Sequence, residues 1–280
     1  MGRPFAIVDV FTDRPLAGNQ LAVVLEAEDL DDASMQAIAL EFGFSETTFL
    51  QPATVPGCDL RVRIFTPSRE LPMAGHPVVG TASLLRERGM ASGDLVLELG
   101  VGPTAVAFDA EGRAWMTQPE ARFGDPVPAG APLAGALGLA VEDLDGTLPT
   151  QAVSCGNEFL LVPLRSEAAL ARARPDPGRW QPVAAASEHA AAYLFTLPET
   201  GRARARMFIL SDPGLAEDAA TGSAAGPLGA YAARHLGQSA LIVDQGVEMG
   251  RPSRIHVDAS SARPRVGGTA VTVARGELAT

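Results

Sequence analysis

Apolar residues recur at helical spacing in one early segment and at strand spacing in many others. Across Asp31 to Phe42, Met35, Ile38, Ala39 and Phe42 fall at i, i+3, i+4 and i+7. Acidic residues open that segment and Gly43 follows it, which predicts an amphipathic helix with a glycine stop. Short apolar runs bounded by turn residues predict strands at 5–10, 20–25, 47–50 and 60–65, then at 95–99, 104–108 and 114–117. Residues 119–135 (PEARFGDPVPAGAPLAG) are dense in Pro, Gly and Ala and read as the crossing to a second domain. Strand patterns resume at 149–153, 158–164, 191–196, 204–210, 240–244, 254–258 and 269–275.

The pattern repeats itself. Arg63-Ile64-Phe65, then Ala74-Gly75-His76, then an apolar helix ending near Arg88-Gly89 is echoed by Arg206-Met207-Phe208, Thr221-Gly222-Ser223 and an apolar helix ending near Leu236-Gly237. Phe65 and Phe208 are 143 positions apart and Gly75 and Gly222 are 147 apart, close to half of the 280 residues. Chance is the alternative in a chain rich in Gly and Ala, but a duplicated domain explains order and spacing together. The expected organisation is α+β, with two pseudo-symmetric domains at 1–120 and 130–265 and a C-terminal strand, 266–280, that can return to the first domain. One long helix is expected to start near Pro77, since proline is favoured in a first turn, and the other near Gly222. Free N–H groups and the positive dipole end at such starts suit a carboxylate or a developing enolate charge. For a single start, ordinary capping by Gly and Ser is the simpler account; the paired occurrence favours a shared cleft.

Composition narrows the chemistry. The net charge of −11 argues against nucleic-acid binding, which wants a basic face. All 22 basic residues are arginine, so neither a pyridoxal Schiff base nor a Walker A loop can be built. Cys58 and Cys155 form no CxxC pair, so a disulfide framework or zinc site is not expected. No apolar run reaches the roughly 18 residues of a membrane span. The start, Met1-Gly2-Arg3-Pro4, shows no secretion signal, and Ala6 stands where a myristoylation pattern wants Ser or Thr. A reduced, cytoplasmic setting is therefore expected, with neither metal nor organic cofactor.

Five blocks carry a resemblance. VDVFTDRPLAGNQLAVV, GFSETTF, RIFTPSRELPMAGHPVVGTA, EDAATGSAAGPLGAY and QGVEMGRPSRI stand in order between residues 8 and 255. Together they resemble the PhzF-like isomerases of the diaminopimelate-epimerase fold group. The resemblance implies two domains, each a curved sheet wrapped around a long helix, with the active site between them, and a homodimer. It implies a small carboxylic acid as substrate and no cofactor. Glu46 matches the family's proton-shuttling glutamate, His76 its histidine, Asp218 its acidic partner and Ser223 its helix-start serine; Ser45, Gly75, Thr221 and Gly222 match the neighbouring substrate-contacting positions.

Each residue also has a plainer reading. Glu46 near Phe44 and Phe49 would have a raised pKa and could move a proton near neutrality, whereas without the resemblance it would read as an exposed turn residue. His76 can exchange hydrogen bonds with a substrate heteroatom or simply satisfy a helix start. Asp218 can hold a substrate amine or hydroxyl, or serve as an acid favoured by the helix dipole. Ser223 can add a hydroxyl donor or act as a cap. His189, His235 and His256 lack ligand spacing and read as structural or surface residues, and Arg251 reads as a cleft contact or a loop ion pair. Related racemases use a cysteine at each helix start; here Ala74 precedes the first glycine and both cysteines lie elsewhere. An isomerase is the leading expectation. The alternatives are a binding or interaction module of the same fold, and a racemase or epimerase with non-cysteine bases.

Overall fold

A computed structural model of the chain describes residues 2–188, 190–211 and 214–279. Met1 and His189 lie outside the described residues, so the readings made on them go no further. The chain forms two compact units, Met1–Thr117 with Gly267–Thr280, and Gln118–Val266.

Unit 1 runs β1 (Arg3–Val10), β2 (Asn19–Val24), α1 (Asp32–Phe42), β3 (Glu46–Gln51), β4 (Leu60–Phe65), β5 (Glu70–Leu71), α2 (Gly75–Glu87), β6 (Leu95–Leu99), β7 (Gly102–Phe108) and β8 (Ala114–Thr117). Its α1 is the helix expected from the 3.6-residue pattern. Asp31 caps it by accepting from the Ser34 N–H, and Gly43 ends it in the left-handed region with its N–H donating to the Ala39 carbonyl. Met35, Ile38 and Ala39 pack with Phe49 and Phe65 in one apolar cluster. β1 is antiparallel to β2, which is parallel to β3; β3 is antiparallel to β4, which is antiparallel to β5 and parallel to β6; β6 is antiparallel to β7 and β7 to β8. The other edge of β1 pairs with the last strand, Ala270–Leu278.

Unit 2 runs β9 (Arg122–Pro126), α3 (Ala131–Ala136), β10 (Gln151–Ser154), β11 (Glu158–Pro163), α4 (Glu167–Arg172), α5 (Gln181–Ala186), β12 (Ala191–Glu199), β13 (Arg202–Ser211), β14 (Gly214–Asp218), α6 (Gly222–Leu236), β15 (Ala240–Gln245) and β16 (Ser253–Asp258). β17 (Arg265–Gly268) leads the chain back to unit 1. From β10 to β16 the pairings are antiparallel, parallel, antiparallel, antiparallel, parallel and antiparallel, in the same order as from β1 to β7. The echo in the sequence is thus an echo of topology. Each parallel step is bridged by helix, as a parallel crossover requires.

Every residue of α2 from Gly75 to Ala82 is buried, as are Leu84 and Leu85. A helix buried on all sides has no solvent stripe, and α2 packs on β1, β2, β3, β7, β8 and the last strand. In unit 2, α6 is buried in the same manner against β10, β11, β15 and β16. Sheet around helix is the expected mixed α+β fold.

Two local expectations are corrected. The helix α2 starts at Gly75, so Pro77 is its third residue, still within the turn where a missing N–H costs nothing. Residues 119–135 are not a bare crossing: β9 pairs with β10 and α3 begins at Ala131, both within unit 2. Proline is tolerated there because β9 pairs through few positions and Pro132 occupies the first turn of α3.

Candidate active site

In unit 1 the end of α1, the starts of β2 and β3 and the start of α2 bring four polar side chains together. Gly43 turns the chain out of α1, and Glu46 opens β3 opposite Leu21 of β2. Side chains alternate along a strand, so Glu46 shares its face with Thr48, whose hydroxyl bonds the Thr81 hydroxyl of α2 at 3.0 Å. Phe49 points the other way, into the cluster with α1, and Phe44 stacks on Phe42. Phe49 is therefore on the opposite face of β3 from Glu46, whose carboxyl meets His76 of α2.

Glu46 Oε2 lies 3.6 Å from His76 Nε2, with 16% of the Glu46 side chain exposed and 5% of His76. Desolvation raises the Glu46 carboxyl from 4.5 to about 7, partly opposed by a hydrogen bond from Ser45. His76 Nδ1 sits 3.4 Å from Asn19 Nδ2, and the Ser45 hydroxyl donates to Asn19 Oδ1 at 3.3 Å. Gly75, at the first position of α2, follows Ala74, which offers no side-chain cap. Ser45, Glu46, Gly75 and His76 thus form one constellation. The sequence reading missed Asn19, one of two amides that open the otherwise apolar strand NQLAVV; its side chain is 5% exposed.

Unit 2 gathers Asp218, Thr221, Gly222 and Ser223 at the turn from β14 into α6. Thr221 is the N-cap residue, but its hydroxyl donates to Asp218 Oδ2 at 2.6 Å instead of capping the helix. Ser223 is the second helical residue and half-buried, so the capping account of Ser223 does not hold. Gln245, also missed, braces this turn. Its Oε1 accepts from the Tyr193 hydroxyl at 2.8 Å and the Thr221 N–H at 3.1 Å. Its Nε2 donates to the Asp218 carbonyl at 2.8 Å and to Thr221 Oγ1 at 3.0 Å. All four capacities of the carboxamide are used in a fully buried position. From behind, Gln118 Nε2 donates to the Gly222 carbonyl at 2.9 Å. A Cβ on Gly226 would come within 1.8 Å of Gln118 Oε1, so the amide reaches the helix only because residue 226 is glycine.

His235 Nε2 lies 3.2 Å from Gln151 Oε1 and its ring tilts against Tyr231, a packing role. His256 lies mid-strand opposite Ile242, and the Arg251 N–H bonds the Gly246 carbonyl in a turn. Burial pushes the Cys155 thiol up to about 12, and burial with Glu98 and Asp59 nearby raises Cys58, so neither favours a thiolate. Among the described residues no three His, Cys, Asp or Glu side chains gather as a metal site, and no helix is long and apolar enough to cross a membrane.

Glycine-led helices packed inside the sheet of each unit, with a largely buried carboxyl beside one of them, define the epimerase-like fold group. The likeness to a hydroxyproline epimerase from Agrobacterium vitis, with TM-score 0.65 at 13% identity over 99% of this chain and 92% of that one, shows that fold. Residues 8–276 match the family described as phenazine biosynthesis-like protein, and the chain belongs to that PhzF family of isomerases. It is 39% identical to the trans-2,3-dihydro-3-hydroxyanthranilate isomerase of Pseudomonas chlororaphis over 98% of each chain. A PhzF-family phenazine biosynthesis protein from Bacillus anthracis superposes with TM-score 0.87 at 31% identity, covering 100% of both chains.

Proposed function

We propose that this isomerase moves a proton on a small unsaturated or cyclic carboxylic acid, with Glu46 as the group that carries it. The observation behind this is a buried carboxyl raised to about 7, facing a histidine at 3.6 Å. At neutral pH such a group exists in both forms, so it can take a proton and give it back. Ionised Glu46 removes a proton from a substrate carbon, and the electron pair left behind shifts the adjacent double bond. Protonated Glu46 then returns the proton to the far carbon of that system, which leaves the enzyme as it began. His76 takes the role of a hydrogen-bonding partner to the substrate or to Glu46. In unit 2, Asp218, Ser223 and the first N–H groups of α6 take the polar groups of the substrate, and the helix dipole favours a carboxylate there. Ser45, Gly75, Thr221 and Gly222 complete the binding set. No step calls for a metal or an organic cofactor.

The probe is trans-2,3-dihydro-3-hydroxyanthranilate, the acid named for the relative from Pseudomonas chlororaphis. NMR in deuterated water with wild type and Glu46→Gln is the test. A shifted double bond with deuterium incorporated by wild type alone is the expected result; equal behaviour of both proteins removes Glu46 from the mechanism. Inversion at a stereocentre without a double-bond shift would favour a racemase. The rate kcat/KM is expected to rise with pH through about 7 and then level, because abstraction needs the carboxylate. We also propose a cytoplasmic homodimer, for which sedimentation should give about twice the 29.0 kDa chain mass.

A further inference from the structure

We infer that Asn19 is a positioning residue that fixes His76 as the neutral tautomer with its proton on Nε2, so that the ring presents a donor, not an acceptor, toward Glu46. The inference rests on the reading of Glu46 and His76 as site residues, but its evidence is the geometry around the ring. A neutral imidazole has one donor and one acceptor nitrogen, and the partner of one nitrogen decides the state of the other. Here the Asn19 amide nitrogen lies 3.4 Å from Nδ1, and the Ser45 hydroxyl donates to Asn19 Oδ1 at 3.3 Å. The carboxamide thus lies with its oxygen at Ser45 and its N–H toward Nδ1. An N–H directed at Nδ1 requires a lone pair there, which leaves the proton on Nε2.

Nε2 faces Glu46 Oε2 at 3.6 Å. The opposite tautomer would aim a lone pair at the carboxylate whenever Glu46 is ionised, the form in which it must abstract a proton. Asn19 and His76 are each 5% exposed, so water is poorly placed to rescue a mismatch, and buried mismatched polar groups are costly. The chain places Asn19 by the pairing of β2, where it stands opposite Val10 and two residues before Leu21, the parallel partner of Glu46. In effect, Ser45, Asn19 and His76 form a hydrogen-bonded series whose far end, Nε2, faces Glu46. An asparagine can do this where an aspartate cannot, because a carboxylate offers no N–H and would draw the imidazole proton to Nδ1.

The experiment labels the four histidines with 15N and reads long-range proton–nitrogen correlations above pH 8. The His76 signals are assigned by their loss in His76→Asn. Wild type is expected to show a bare Nδ1 and a protonated Nε2, and Asn19→Asp to move the proton to Nδ1. In Ser45→Ala the Asn19 amide can turn, and both tautomers should appear. On the dihydro-hydroxyanthranilate probe, Asn19→Asp should lose about a hundredfold in kcat with KM little changed, within the range general acid–base groups supply. A proton on Nδ1 in wild type overturns the proposal, as does an unchanged tautomer in folded Asn19→Asp. If Asn19→Asp does not fold, wild type and Ser45→Ala decide the matter. A wild type inactive on every acid tried would refute the functional reading and leave the tautomer result standing, so the two failures are told apart.

Discussion

The substitution Glu46→Gln keeps the size of the side chain and removes its ionisation. In the folded protein burial raises this carboxyl from 4.5 to about 7, so the folded state holds the proton more tightly than the unfolded chain does. Stability therefore falls as pH rises between those values, and above about 7 the full cost of a buried charge is present. At about 1.4 kcal/mol per pH unit, the gap amounts to about 3 kcal/mol at pH 8.5 and about 1 kcal/mol at pH 5. The residual 16% exposure of the side chain makes the larger figure an upper end. Glutamine carries no such penalty. Urea denaturation of both proteins should find Glu46→Gln gaining about 2 kcal/mol more, relative to wild type, at pH 8.5 than at pH 5. Any packing or hydrogen-bond cost of the amide is common to both pH values and drops out of the comparison. The same variant should be inactive. A stability difference that is flat with pH would refute the argument that burial holds Glu46 near neutrality.

Other substitutions test the scaffold around the second helix start. Gly226→Ala drives a methyl group into Gln118 and should cost about 1–3 kcal/mol, read by denaturation; Gly226→Ala combined with Gln118→Ala should recover part of it. Tyr193→Phe leaves Gln245 short of one donor and should cost about 1 kcal/mol. Thr221→Val breaks the bond to Asp218, and its loss should show in KM for the acid before it shows in thermal stability. Activity should persist after dialysis against a chelator, and loss reversed by adding metal back would refute the cofactor-free mechanism.

What the sequence disclosed depended on whether a residue's neighbours were near it in the chain. The helix α1 could be read because its cap, its apolar stripe and its glycine stop are contiguous from Asp31 to Gly43. The duplication could be read because strand, glycine and helix recur at nearly constant spacing, and the strand pairings repeat in the same order. Residues 119–135 misled because their composition is that of a loop, while β9 is defined by its pairing with β10, 25 to 32 positions on. Glu46 was assigned the wrong apolar neighbour because proximity in sequence hid the alternation that turns Phe49 to the opposite face. Asn19 and Gln245 escaped because their partners lie far along the chain: His76 is 57 positions from Asn19, and Tyr193 is 52 from Gln245. An amide at one end of a mostly apolar strand was the local trace of each.

The first strand of the protein is paired on one side by its neighbour β2 and on the other by the last strand, Ala270–Leu278. During synthesis the segment from Gln118 to Val266 is complete before that last strand exists. The amino-terminal unit must then wait with an open sheet edge on β1, the kind of edge that invites pairing with another chain. The half made first is thus the half finished last. Losing the strand Ala270–Leu278 would expose β1, the strand next to the one that carries Asn19, far from the deletion in sequence.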